Sequence, residues 1–409
     1  MRGTVLIAVL VFTLSLAPCA ASAHATGSLS PSITVPAIGP PETSIPVGSA
    51  PFCVAFDSAT GSVYVADSGA AQVTVVNATT NTVAVPSIAV GSNPIGLAFD
   101  TANGYIYVAN HNSANVTVIN GATNKVVVPS IPVGTRPFSI AFDSSNGYLY
   151  VPNEDSGNVT VINGTTNKVV VPSIPVGAQP TGVTFDSSNG YVYVTNLGSD
   201  NVTVINGATN KVVVPSIPAG SESEYAAFDP SNDTLFVANP GSNNVTVISG
   251  ATNTVVVPSI AVGSTPRGLA FDALNGYVYV ANWGGASVTA IDGATHEVVG
   301  APIPVGTDPF TVAVDSSNGY VYVPNQASDN VTVFAPSYVI ERGSSGGSGS
   351  SATIFGLSSG GADVLVALLV IWGVGGTTAA VLLSRPRHGP GALHPATPPP
   401  PVTPPPGST

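Results

Sequence analysis

The residues best suited to chemistry in this chain are the ones that break a pattern. His111 with Glu154 or Asp155 is the one grouping in which an imidazole and carboxylates could work as acid and base. No second His or Cys stands at metal-ligand spacing from His111 or His296, and His24, His388 and His394 fall in the chain ends, so a zinc site is not expected. Cys19 and Cys53 are the only cysteines. Cys53 occupies a place where the corresponding residues are Gly96, Ser139, Gly182 and Gly268, and it reads as a small buried side chain. A Gly-x-Ser-x-Gly sequence occurs only in a Gly/Ser-rich tract, not on a strand-to-helix turn. Phosphate-loop and dinucleotide fingerprints are absent, and neither a metal nor a cofactor is expected.

The pattern being broken is a repeat of 43 residues. An aromatic recurs at Tyr64, Tyr107, Tyr150, Tyr193, Phe236, Tyr279 and Tyr322, always 43 apart, so seven copies follow one another without insertion. Within the copy 137–179, Phe138–Phe142, Tyr148–Val151 and Val159–Ile162 read as strands, the last alternating as if half buried. A fourth run, Lys168–Val171 with Ile174–Val176, is interrupted by Pro172 and Pro175, which suits an outer edge. Asp143-Ser-Ser-Asn-Gly147 and Asn163-Gly164 are turn chemistry. Four short strands per unit, repeated seven times, predict an all-β, seven-bladed propeller of four-stranded antiparallel blades. Ser44-Ile-Pro-Val-Gly48 matches Ser130-Ile-Pro-Val-Gly134, so the chain starts with the tail of a repeat; the last repeat stops after Asn330–Phe334. An N-terminal strand is therefore expected to close the ring, with Tyr338–Ile340 as the other available donor.

In such a ring the loops between blades and those joining second to third strands open on one face. The interblade loops carry Asn93, Arg136, Gln179, Glu222 with Glu224, Arg267 and Asp308; the second-to-third loops carry His111, Glu154, Asp155 and Trp283. The fifth repeat departs most, with Glu222-Ser-Glu-Tyr225 at its entry and Asp233 at a turn glycine. Arg136, Glu222, Glu224, Tyr225, Arg267, Trp283, His111 and Glu154 are accordingly the candidate ligand contacts. Trp283 and Tyr225 would be anchors, with Arg136 and Arg267 as polar partners. The recurring Asp57, Asp100, Asp143, Asp186, Asp229, Asp272 and Asp315, and the recurring asparagines, are more simply turn formers than a metal ring.

Only 7% of residues are charged, against roughly 25% in an ordinary soluble domain. Net charge is −12, which offers no basic footprint for nucleic acid. Arg2, the apolar run Val5–Leu16 and Ala21-Ser-Ala23 have the order of a secretory signal, 1–23. An extension, 24–43, precedes the propeller, 44–340; a Gly/Ser-rich linker, 341–362, follows it. Val364–Leu383 is uncharged and long enough to cross a bilayer, so a transmembrane helix is expected over 363–384. Arg385 and Arg387 place the Pro-rich tail, 385–409, in the cytoplasm, with the propeller outside a single-pass anchor. Sequons at Asn77, Asn115, Asn158, Asn163, Asn201, Asn232, Asn244 and Asn330 are acceptors if the host glycosylates secreted chains.

Tyr193-Val-Thr-Asn196 spells the motif of the YVTN-repeat β-propeller family, and Tyr107-Val-Ala-Asn110, Tyr150-Val-Pro-Asn153 and Tyr279-Val-Ala-Asn282 are in-register variants. The resemblance covers about residues 44 to 335. It implies the propeller fold and a secreted or cell-surface protein, including the archaeal surface-layer type. Similar propellers also occur in lyases and quinone-cofactor dehydrogenases. Two functions follow as expectations. One is a membrane-anchored binding, adhesion or surface-structural module for an extracellular protein, glycan or small ligand. The other is a small-ligand sensor or enzyme working at the mouth of the central channel.

Overall fold

The computed structural model describes residues 43–335 and three further strands, Ser350–Leu357, Val366–Gly373 and Thr378–Leu383. Residues 43–335 form a β-propeller of seven four-stranded antiparallel sheets. Blades 1 to 6 span 51–89, 94–132, 141–175, 180–218, 225–261 and 266–304; blade 7 combines 313–334 with 43–46. In blades 1 to 6 the inner strand leads to the second, third and outer strands in turn, as expected for a meander of tight turns, whereas blade 7 takes its outer strand from Thr43–Pro46.

The second and third strands form the heart of each blade. Tyr148–Asn153 and Asn158–Asn163 are buried along nearly their whole length, and Leu149, Val151, Val159 and Ile162 are fully shielded. This corrects the half-buried reading of Val159–Ile162. Neighbouring blades cover both faces of the sheet, so even Thr160 is buried; it donates to the Pro172 carbonyl and accepts from Asn153 Nδ2. The outer strand Lys168–Pro175 is exposed or part-buried except at Ile174, which is buried, and its pairing slips twice beside Val161, where the prolines deny it a full ladder.

Thr43–Pro46 closes the ring. It runs antiparallel to the third strand of blade 7, with Ser44 opposite Thr332 and Ile45 opposite Val331. Ile45 is buried against Val331 and Val333. The other donor considered, Tyr338–Ile340, lies outside the described residues.

The recurring tyrosine acts as a latch between blades. Tyr107 Oη donates to the Gly164 carbonyl (3.0 Å) and reaches Asn167 Oδ1 (2.6 Å), both in the next blade. Tyr64, Tyr150 and Tyr193 repeat this, and Tyr322 carries it across the closure to Ala78 and Asn81. Asn167 holds φ +55°, a left-handed conformation that asparagine tolerates better than most residues.

The segment expected as a transmembrane helix contains two strands, Val366–Gly373 and Thr378–Leu383. They pair with each other, and Val366–Gly373 also pairs with Ser350–Leu357, which falls in the expected linker. The run is rich in β-branched residues and interrupted by Gly373, Gly375 and Gly376, all poor helix formers. Among the described residues no helix is long and apolar enough to cross a membrane, so the expected span is not shown. The signal segment, residues 24–42 and the Pro-rich tail lie outside the described residues.

Candidate functional site

Two rings of side chains, each with one residue per blade at the same register, meet at the mouth of the channel. The first is Phe52, Ile95, Phe138, Thr181, Glu224, Arg267 and Phe310; the second is Cys53, Gly96, Ser139, Gly182, Tyr225, Gly268 and Thr311. Contacts between blades that are not neighbours locate them across the axis. Phe52 of blade 1 meets Phe138 of blade 3 at 6.0 Å, Phe138 meets Tyr225 of blade 5 at 5.9 Å, and Tyr225 meets Phe310 of blade 7 at 6.2 Å. Aromatic side chains therefore line the mouth and meet across the axis. The small residues of the second ring let inner strands approach closely: a Cβ on Gly182 would sit 2.5 Å from the Glu224 carbonyl and 2.9 Å from Tyr225 Cα. Cys53 is buried as expected, and burial pushes its thiol up to about 11.

Glu224 and Arg267 pair within the first ring. Arg267 Nη1 lies 2.6 Å from both carboxylate oxygens, and the Glu224 side chain is 1% exposed. The guanidinium carbon sits 5.4 Å from the centre of the Trp283 ring and 5.0 Å from that of Phe310, within cation–π range of both. Burial raises the Glu224 carboxyl to about 7 even though Arg267 opposes the shift. The backbone under it is pinned. Thr181 and Thr195 of blade 4 both donate to the Glu224 carbonyl (2.9 and 2.6 Å). Ser223, standing where most repeats have proline, donates to the Gly220 carbonyl and to Asn239 Oδ1. Thr195 is the threonine of the one literal Tyr-Val-Thr-Asn motif, and Thr181 interrupts the apolar run of the ring. Departures in blades 4, 5 and 6 thus satisfy one another.

A second cluster joins blades 2 and 3. His111 is 7% exposed, and its Nε2 lies 3.1 Å from Glu154 Oε2. Arg136 Nε is also 3.1 Å from His111 Nε2 and 3.6 Å from Glu154 Oε2, while Arg136 Nη1 is 3.5 Å from Asp155. One ring nitrogen cannot donate to Glu154 and accept from Arg136 together. The carboxylate is the stronger acceptor, so we assign the proton to Nε2 and the Arg136 charge to Glu154 and Asp155. The hydrogen bond from His111, aided by Arg136, holds the Glu154 carboxyl below its usual range. Ring contacts carry the two clusters into one strip: His111 to Phe138, then Tyr225, Phe310, Arg267 and Trp283.

The remaining expectations fall around this strip. Glu222 is exposed and offers its backbone N–H to Asp200 Oδ1, so it stays outside the paired cluster. It belongs to a ring of left-handed residues, Ala50, Asn93, Arg136, Gln179, Glu222, Thr265 and Asp308, with φ between 49° and 60°. Each interblade loop therefore turns alike whatever its side chain. Most sequon asparagines cap turns or strands: Asn163 Oδ1 accepts from Thr166, and Asn158 Oδ1 from Asn153. Asn232 is exposed and donates to Asp229. Among the described residues no group of three or more His, Cys, Asp or Glu is placed to hold a metal. Two open grooves, about 450 and 380 Å3, lie by the outer strands and include none of the mouth residues. Phe52, Phe138, Phe310, Thr181 and Thr195 were not among the sequence candidates. Aligning the repeats at 43 would have placed the first four in one ring with Glu224 and Arg267.

No curated protein matches this chain in sequence. Solved structures with the same fold are numerous, 1436 chains in all, so likeness of fold says little about activity here. Hydrazine synthase from Kuenenia stuttgartiensis aligns over 71% of this chain and 96% of its own, with a TM-score of 0.63 and 22% identity, a likeness of fold alone. The family model of the YNCE-like beta-propellers matches residues 30–348, and the chain belongs to that family.

Proposed function

We infer that this chain is a surface-displayed propeller that binds a ligand on the face carrying Glu224, Arg267, Trp283, His111, Glu154 and Arg136. One observation carries the reading. Charged and aromatic departures concentrate on one face and bond to one another, whereas the other face keeps an Asp-led turn in every blade, with Asp233 and the Phe236–His296 pair as its main departures. Independent drift would scatter its changes and leave them unmatched. The family gives the propeller as a binding or structural module; the YVTN-type, surface-layer-like character and the outward display are further steps of this proposal. They rest on the signal-like N-terminus, the uncharged run Val364–Leu383 and Arg385 with Arg387 after it. In a bilayer that run would be helical, because an open three-stranded sheet leaves edge N–H and C=O groups that hydrocarbon cannot satisfy.

The test uses intact cells expressing the full chain with a tag after Thr409. Extracellular proteins and glycans are screened for binding, and each hit is compared on wild type, Trp283→Ala and Ser145→Ala. The expected result is a loss of about 1–2 kcal/mol of binding for Trp283→Ala alone, with the tag reached by antibody only after permeabilisation. Equal binding by Trp283→Ala sinks the face assignment, and a tag accessible on intact cells sinks the topology.

A further inference from the structure

Three hydrogen-bond donors at the mouth are buried and have no acceptor: Trp283 Nε1, Tyr225 Oη and Arg267 Nε. They belong to one cluster, because Arg267 lies over both Trp283 and Phe310 and Tyr225 packs edge-on against Phe310. Buried donors without partners are costly and are kept where something else supplies the acceptor. The walls are aromatic: Trp283, Phe310 and Tyr225. The one carboxylate in the cluster, Glu224, is engaged by Arg267 Nη1.

Resting on the binding-face reading above, we propose that this cluster is a subsite for a carboxylate attached to a flat apolar group, and that its occupation transfers one proton from solvent to Glu224. The chemistry sets both halves. A carboxylate offers lone pairs to three donors at once, which a hydroxyl or a single carbonyl does not. A second anion beside buried Glu224 would leave two negative charges against one guanidinium in a low-dielectric site. Taking up a proton on Glu224 restores neutrality. The groups that bear on Glu224 act in the same sense, apart from Arg267: Glu222 on its own loop and Glu154 from blade 3 both disfavour its ionised form. Tyr225 lies next to it, with Cys53 beyond. The carboxyl already stands at about 7, so protonation costs little near neutral pH.

The probe is benzoate, with benzamide as its neutral counterpart. The chain has two tryptophans, Trp283 and Trp372, so Trp372→Phe leaves Trp283 as the sole indole. Its N–H signal is followed by NMR on the solubilised full-length chain at pH 6 and pH 8. Benzoate should shift the Trp283 signal, with an affinity about tenfold lower at pH 8, because protonated Glu224 becomes scarcer. Calorimetry in two buffers of different ionisation enthalpy should register uptake of about one proton at pH 8, where Glu224 starts mostly ionised, and little at pH 6, where it starts mostly protonated. Glu224→Gln should bind equally at both pH values, and Tyr225→Phe should bind several-fold more weakly. The proposal is overturned if benzoate leaves the indole unmoved at pH 6, if wild-type affinity is the same at both pH values, or if benzamide binds as tightly. If screened ligands need Trp283 but benzoate leaves it untouched, the carboxylate subsite is wrong and the binding face stands.

Discussion

The two faces of the propeller solve opposite problems with the same backbone. On the face of the Asp-Ser-Ser-Asn-Gly turns, one arrangement recurs. Asp143 Oδ1 accepts from the Ser145 N–H and hydroxyl, Oδ2 accepts from Asn146 Nδ2, and Asn146 also donates to the Gly207 carbonyl of the next blade. Asp186 with Ser188 and Asp315 with Ser317 repeat the Oδ1 pattern. At the mouth the register positions are equally strict, yet a single ring holds three phenylalanines, isoleucine, threonine, glutamate and arginine. The backbone demands a residue at each position there but does not dictate which. Where the fold leaves the choice open and the choices still fit one another, the pattern is the one the proposed binding face predicts.

The sharpest way to break this comparison is to remove one carboxylate from each face. Asp143→Ala removes the buried carboxylate that accepts from three donors of the exposed turn and frees Asn146, which bonds the next blade. It should cost roughly 2–4 kcal/mol, read as a lower denaturation midpoint. Glu222→Ala on the mouth face should change stability by less than about 0.5 kcal/mol, since that side chain is exposed. Equal costs would mean that the mouth is as structural as the turns.

A smaller effect sharpens the contrast by comparing carboxylates within the mouth face. Asp67 stands where the other six blades have asparagine. Its Oδ2 accepts from Thr74 Oγ1 (2.6 Å) and Gln72 Nε2 (3.2 Å), but its buried Oδ1 has no partner. Burial raises its carboxyl from 3.8 to about 6. The folded state therefore holds the proton more tightly than the unfolded chain. Stability from this group is full below about 3.8 and is lost as pH rises through about 6. Asp67→Asn removes that loss, and the new Nδ2 matches the donor that Asn110 aims at Thr117. The variant should be more stable by on the order of 2 kcal/mol at pH 7.5 and nearly unchanged at pH 4, measured by thermal melts. A gain of equal size at both values would show that the carboxylate's charge is not what costs stability.

Much of this was legible in the chain because the period is unbroken. Spacing alone placed the aromatics of the second strands in register, and the orphan tail Ser44–Gly48 identified the closing strand. Glu224, Arg267, His111 and Trp283 stood out as departures. Their pairing was harder to see. Glu224 and Arg267 are one repeat apart, a separation that becomes contact only when blades stack. Phe52, Phe138 and Phe310 look like ordinary strand residues, and nothing local says that they cross an axis. The latch from Tyr107 to Asn167 spans 60 residues and was hidden for the same reason. Val364–Leu383 reads as a span by hydropathy and as strands by β-branched content, and hydropathy does not choose between them.

The smallest expected effect tests whether the turn face is uniform for structural reasons. One of its seams departs. In blade 5, Phe236 replaces the latch tyrosine, and His296 replaces the asparagine it would have met, with the rings 5.8 Å apart. His296 keeps the left-handed φ of +61°, and its buried Nε2 has no partner. If the latch is structural, the two positions are coupled. Phe236→Tyr alone brings a hydroxyl to an imidazole set for ring packing, and His296→Asn alone leaves an amide facing a phenyl ring. Each single change should be neutral or destabilising. Together they should rebuild the bond seen between Tyr107 and Asn167 and gain about 1 kcal/mol, with a coupling energy of similar size in a double-mutant cycle. Additive single effects would mean that the blade 5 to blade 6 seam takes its strength from packing alone, and that the tyrosines of the other seams are held there by their rings rather than their hydroxyls.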